Sequence, residues 1–224
     1  MYRVDLWLWS LDPPEERLAG LRAHCAEDEL ARAARFVRAV HRDRHIAGRG
    51  RLREILGAET GRDPRDIVFV YGANGKPAME GGPEFNLSHS GDLAALAISR
   101  DGPVGVDVER RREIEDAVAR HHFSPAEYAA LSGLSGADWL DGFYRCWTRK
   151  EAVIKTNGLG LSMPLDSFDV TLAPGTPARL DRIAGDDPEA WRLVHFDPAP
   201  GCFGAVAART RGQELALTWR DTAR

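Results

Sequence analysis

Along the opening stretch YRVDLWLW, Val4, Leu6 and Leu8 alternate with Arg3, Asp5 and Trp7. That period of two predicts a strand. The pattern then turns helical over PPEERLAGLRAHCAEDELARAARF. There Pro14 suits a first turn, and Glu15 and Glu16 suit its positive end. DRHIAGRGRLREILG predicts a further helix, with Ile46, Leu52, Ile55 and Leu56 inward and Gly57 as its stop. DIVFVYGANGKP reads as a strand and a turn rich in Asn and Gly. In FNLSHSGDLAALAIS two apolar runs flank Ser90-Gly91-Asp92, which predicts a hairpin.

After Pro103 the order repeats. GPVGVDVER is a short strand bounded by glycines, SPAEYAALSGL starts a helix, and DWLDGFYRCWTRKEAVIKTNG is a longer helix closed by Gly158. DSFDVTL, AWRLVHFD, CFGAVAAR and ELALTWR finish the chain as strands, around a turn-rich connection, LAPGTPARLDRIAGDDPEAW. The layout predicts an α+β protein of two halves, residues 1–103 and 104–224. No residue-level repeat accompanies it.

Composition narrows the function classes. The 224 residues suffice for a sizeable core, and 43% hydrophobic with 29% charged content is ordinary for a globular chain. A net charge of −4 argues against a general polyanion binder, so nucleic acid is not an expected partner. Cys25, Cys146 and Cys202 are too few and too scattered for a disulfide framework or a zinc site, and read as reduced thiols. The N-terminal run is broken by Asp5 and followed by Pro13 and Pro14, so it is not read as a signal peptide. No run is long enough to span a membrane. A cytoplasmic protein is expected.

Several stretches carry candidate chemistry. In GVDVE, Asp107 and Glu109 fall on one side of a strand and Val106 and Val108 on the other. Neighbouring carboxylates repel, and a hard cation with oxygen ligands relieves that cost. Solvated acids on a strand edge would show the same pattern. In FYRCWTRKEAVIKTNGLG, Glu151 and Lys155 stand one turn apart on a helix that also buries Trp147, Val153 and Ile154 by pattern. Between Arg32 and Arg53 lie eight arginines and a single acid, Asp43, a local basic run suited to phosphate. Lys76 sits in the NGKP turn, and His89 lies between Ser88 and Ser90 at a strand end. Ser124, Pro125 and Glu127 fit the N-cap, N1 and N3 positions of a capping box. TNGLGLS lacks the ending of a Walker loop and reads as a helix stop and turn.

Taken in order, NGKP, FNLSHS, VGVDVE, FSPAEY and WTRKEAVIKTNGLGLSMPLDSF resemble the 4′-phosphopantetheinyl transferase superfamily, specifically its long single-chain, surfactin-synthetase type. A D-x-E strand some forty residues before W-[ST]-x-K-E-A-x-x-K is the specific part of the resemblance. It implies two pseudo-duplicated halves, each with helices on a small, mainly antiparallel sheet, and an active site in the cleft between them. It implies transfer of the phosphopantetheine arm of coenzyme A, the co-substrate, to a serine of an apo acyl or peptidyl carrier protein. Adenosine 3′,5′-bisphosphate leaves.

The resemblance also assigns residues. Asp107, Glu109 and Glu151 would hold Mg²⁺, with Mn²⁺ as an alternative. Lys155 would face the reacting phosphate, and Lys150 is a candidate for the α-phosphate. Glu151 is the candidate base for the carrier serine, directly or through a water, a role that competes with metal ligation. Arg44 aligns with a contact to the coenzyme A 3′-phosphate, and Lys76, Ser88 and His89 would supply further contacts. Arg32 and Arg35 lie where relatives place basic residues, whereas Glu29 stands where some relatives have one. No role is carried over to Arg49, Arg51 or Arg53. Residues 110–122 are a candidate carrier surface, and a monomer is expected because both cleft walls come from one chain.

Overall fold

The computed structural model describes residues 1–72, 74–158 and 163–220. Strand β1 (Tyr2–Ser10) is followed by helices α1 (Glu15–His24), α2 (Glu27–Ala33) and α3 (Ala39–Thr60). Short strands β2 (Phe69–Tyr71) and β3 (Pro77–Met79) precede the hairpin β4 (Glu84–Ser90) and β5 (Leu93–Ser99). Then come β6 (Val104–Arg110), α4 (Asp116–His122), α5 (Pro125–Ser132) and α6 (Gly136–Asn157). Strands β7 (Phe168–Val170), β8 (Leu180–Ile183), β9 (Trp191–Phe196), β10 (Cys202–Arg209) and β11 (Leu215–Trp219) complete the chain. Among the described residues no helix is long and apolar enough to cross a membrane.

Two sheets form the centre. One runs β11-β1-β5-β4 and the other β6-β10-β9. Pairing within them is antiparallel except between β1 and β11, which are parallel. The last strand therefore joins the sheet built by the first hundred residues.

Burial explains the stacking. Val104, Val106 and Val108 of β6 meet Tyr2, Val4 and Leu6 of β1 in a core between the sheets. Trp7 and Trp9, on the other face of β1, pack with Leu21, Leu52 and Leu56 under α1 and α3. The alternation along β1 groups Trp7 with Arg3 and Asp5. Trp7 is buried because β1 lies inside its sheet with apolar layers on both faces, so it is apolar on both sides. On the far side, Phe143, Val153 and Ile154 of α6 pack on Phe203, Ala205 and Ala207 of β10.

Local details depart from the sequence reading at three points. The first helical stretch is two helices, with Cys25 and Ala26 between them. Gly57 does not stop α3, which runs on to Thr60 and ends at Gly61 in the left-handed region, φ 69°. Gly57 instead makes room for the returning chain, since a Cβ there would stand 2.8 Å from the Arg62 carbonyl oxygen. Strand β8 arises inside the connection read as turns. The capping box of α5 forms: Glu127 N–H donates to Ser124 Oγ at 3.2 Å, and Ser124 N–H to Glu127 Oε2 at 2.9 Å. Of TNGLGLS, residues 159–162 lie outside the described residues.

Candidate active site

One missing side chain brings the acids of β6 to the helix. A Cβ on Gly105 would stand 2.0 Å from the Ala152 carbonyl oxygen and 2.6 Å from the Thr156 nitrogen. Only glycine lets α6 lie directly on the strand. Asp107 follows on the same side of β6, two residues on. Lys155 of α6 then reaches across the seam, and its Nζ donates to Asp107 Oδ1 at 2.6 Å and to Ser88 Oγ at 3.1 Å. Asp107 is 3% exposed, and its Oδ2 has no hydrogen-bond partner among the described residues.

Strand β4 runs beside β6 and bonds to it through side chains. Val106 N–H donates to Asn86 Oδ1 at 2.9 Å, Val108 N–H to Ser88 Oγ at 3.3 Å, and Arg110 N–H to Ser90 Oγ at 3.1 Å. Each of the two serines then turns its own proton to an acid. Ser88 donates to Asp107 Oδ1 at 2.8 Å, and Ser90 to Glu109 Oε2 at 2.6 Å. The edges of the two sheets are thus joined by polar side chains that also aim both carboxylates.

Electrostatics couples these groups to the helix. Burial raises the Glu109 carboxyl above its ordinary value, against the Ser90 hydrogen bond, and the Asp107 charge adds to the rise. Burial also raises Glu151, with Asp107 and Glu109 adding and Lys155 opposing. Partial loss of water around the ring and then the Lys155 ammonium push His89 below its usual basicity.

A cavity of about 740 Å³ opens beside this cluster in the N-terminal part of the chain. His89 lines it, and so do Arg32, Arg44, Arg49 and His45. Arg35 is not among its lining residues. Arg44 forks onto Asp12, with Nε 2.7 Å and Nη2 2.6 Å from the two carboxylate oxygens. Glu29, set where some relatives carry a base, is a buried organiser. It accepts from Arg49 Nε and Arg53 Nε, each at 2.6 Å, and from the Ala26 amide at 2.9 Å. Arg49 thereby gains a place on the cavity wall that sequence reasoning did not give it. His45 Nε2 is buried and has no partner among the described residues. The helical spacing of Arg44, His45 and Arg49 was available in the sequence, but Arg32 lies on a different helix and the arginine run offered no way to rank its members.

Two lysines stand elsewhere than expected. Lys150, proposed at a phosphate, is fully buried away from the cavity. Its ammonium meets Glu127 Oε2 at 2.8 Å and donates to the Leu165 and Phe168 carbonyls, both at 2.6 Å. An ammonium has three N–H donors, so none is left for a phosphate. Glu127 also accepts from Val170 N–H at 2.7 Å, which makes it a buried tie between α5, α6 and β7. Lys76 donates to three backbone carbonyls, those of Val104, Lys155 and Thr156, at 2.8–3.3 Å.

The residues offer oxygen donors for a hard cation: Asp107, Glu109 and Glu151, one with a buried oxygen lacking a partner among the described residues. Among the described residues no three acidic, histidine or cysteine side chains already converge on one point. Magnesium fits such a set, because it keeps waters and substrate phosphate oxygens and needs only one or two carboxylates from the protein.

Carboxylates, a bridging ammonium and a basic cavity suit an enzyme acting on a phosphorylated substrate. A sequence model described as the 4′-phosphopantetheinyl transferase superfamily matches residues 103–217. Over 211 residues the chain is 40% identical to the 4′-phosphopantetheinyl transferase HetI of Nostoc sp., covering 91% of this chain and 86% of that protein. It is 35% identical over 173 residues to the 4′-phosphopantetheinyl transferase Sfp of Bacillus subtilis, covering 76% and 77%. A 44% identity over 108 residues links it to AcpT of Salmonella typhimurium, across 46% of this chain and 56% of that one. The chain belongs to the 4′-phosphopantetheinyl transferase superfamily.

Proposed function

We propose that the protein transfers the 4′-phosphopantetheine group from coenzyme A to a serine hydroxyl of an apo acyl or peptidyl carrier protein. Adenosine 3′,5′-bisphosphate is the leaving product. The observation that carries this reading is the position of Lys155. Its ammonium bridges Asp107 and Ser88 beside a cavity lined with arginines.

The cavity takes the nucleotide end of coenzyme A. Arg32, Arg44 and His89 supply cationic and hydrogen-bonding groups for its phosphates, and arginine forks match phosphate oxygens in pairs. Asp107, Glu109 and Glu151 would hold a divalent cation, Mg²⁺ or Mn²⁺, which would supply positive charge for the pyrophosphate oxygens.

Serine is a poor nucleophile until a base takes its proton. Glu151 is that base, directly or through a water, a role that competes with its place as a cation ligand. The serine oxygen bonds to the phosphorus that bears pantetheine as the bond to the bridging pyrophosphate oxygen breaks. Lys155 moves its ammonium onto the departing phosphate, stabilising the charge or donating a proton. Residues 110–122, next to the acidic strand, form the surface offered to the carrier.

The test is direct. The protein, Mg²⁺ and coenzyme A are incubated with a panel of apo acyl and peptidyl carriers, and a phosphopantetheine mass on the carrier serine is sought. Its absence on every carrier would sink the reading. The panel also reports carrier choice.

A further inference from the structure

Helix α6 is gripped at its end by a turn from the other half of the chain. Lys76 Nζ donates to the Lys155 carbonyl at 2.8 Å and to the Thr156 carbonyl at 3.3 Å. It also donates to the Val104 carbonyl, at the start of β6, at 3.2 Å. Asn74 Nδ2 donates to the Gly158 carbonyl at 3.0 Å. Both residues belong to the NGKP turn between β2 and β3.

A helix leaves its last four carbonyls without partners inside the helix, and they form its negative end. In α6 the chain leaves through Gly158 in the left-handed region, φ 65°. Lys76 supplies donors to two of them, those of Lys155 and Thr156, and Asn74 holds the next carbonyl, that of Gly158. A cation suits the position on electrostatic grounds as well. The three N–H donors of Lys76 match three carbonyls, so its bonds are complete without a ligand.

The same grip acts on the reactive end of the helix. The backbone carbonyl of Lys155 is held by Lys76, and the side-chain ammonium of Lys155 is held by Asp107 and Ser88. Because Lys76 also binds Val104, it ties the helix end to the strand that carries Asp107. We propose that Asn74 and Lys76 are positioning residues that lock the last turn of α6 against β6 and thereby set the aim of Lys155. Resting on the transfer function proposed above, the inference replaces a phosphate contact at Lys76 with a backbone clamp.

The experiment compares the parent chain with Lys76→Met and the milder Asn74→Ala, each checked for intact folding by circular dichroism. Three measurements are made. Amide hydrogen exchange is followed in peptides spanning residues 150–158. It should speed up about tenfold or more in Lys76→Met, and less in Asn74→Ala, as expected for lost hydrogen bonds to a charged group. Affinity for coenzyme A, measured by calorimetry without carrier, should stay within about twofold of the parent. In the transfer assay kcat should fall about tenfold with KM for coenzyme A unchanged. Unchanged exchange in both variants, or coenzyme A affinity about tenfold weaker, would overturn the clamp. So would an unchanged kcat. If the parent chain transfers nothing, the proposed function fails, while exchange and calorimetry still decide the clamp. If Lys76→Met does not fold, Asn74→Ala decides by the same three measurements.

Discussion

Ser90 donates its hydroxyl proton to Glu109 at 2.6 Å and with the same oxygen accepts the Arg110 amide at 3.1 Å. The serine links a backbone to a carboxylate and fixes the direction in which Glu109 points. Hydrogen bonds behind a metal-binding group typically matter about 10–100-fold for affinity or activity. Ser90→Ala is therefore expected to raise the Mg²⁺ concentration for half-maximal transfer by about tenfold. Ser90→Thr, which keeps the hydroxyl, should recover most of the loss. A magnesium titration of the transfer rate reads both. Equal magnesium requirements in all three proteins would show that Ser90 only joins the strands.

Glu151 and Glu109 predict how a cation and pH act together on stability. Burial and like-charged neighbours raise both carboxyls above their ordinary values. A carboxyl whose folded pKa exceeds its unfolded value takes up a proton on folding. Its stabilising contribution is full below the unfolded pKa and is lost as pH rises through the folded value. Above that window the charged pair opposes folding, and a divalent cation offsets the repulsion. Mg²⁺ should therefore raise the melting temperature more at about pH 8 than at about pH 5, where carboxyls are partly protonated. Thermal unfolding with and without Mg²⁺ at both pH values measures this, and Asp107→Asn should remove most of the difference. Equal shifts at the two pH values would refute the coupling.

The pair of Lys150 and Glu127 predicts a stability effect without a binding effect. Both side chains are buried, 2.8 Å apart. Removing one partner of a buried pair costs about 3–5 kcal/mol, because the other charge stays behind uncompensated. Lys150→Met should lower the melting temperature by roughly 10 °C for a chain of this size. Coenzyme A affinity, corrected to the folded fraction, should not change. A large loss of affinity with normal stability would return Lys150 to the ligand site.

The sequence showed some of this arrangement and hid the rest for identifiable reasons. The alternation in GVDVE is local, so the shared side of Asp107 and Glu109 could be read directly. So could the Ser124–Glu127 capping box. A lysine's partner is decided by what folds against it. Nothing near Lys150 in sequence announces the Leu165 and Phe168 carbonyls, and nothing near Lys76 announces the end of α6. The same holds for Glu29, whose partners Arg49 and Arg53 lie twenty or more residues away. Strand β11 read correctly as a strand, but its parallel pairing with β1 joins the two ends of the chain and leaves no mark in either segment.

Gly105 provides the sharpest test of how the strand and helix make the site. A methyl group there would collide with the backbone of α6, at 2.0 Å from the Ala152 carbonyl oxygen and 2.6 Å from the Thr156 nitrogen. Backbone atoms cannot step aside as a flexible side chain does, so the whole helix must shift. Forcing an extra methyl group into a packed interior costs about 1–3 kcal/mol. A displacement of about 1 Å in a reacting group can cost about a hundredfold in rate. Gly105→Ala should therefore reduce kcat for transfer by about a hundredfold while lowering stability only moderately. The cavity that would receive coenzyme A is lined mainly by α2, α3 and the β2–β5 region, so nucleotide affinity should change little. Transfer kinetics, thermal unfolding and calorimetry on one purified variant separate these effects. A variant with normal kcat would mean that α6 does not need its close seat on β6 to aim Glu151 and Lys155.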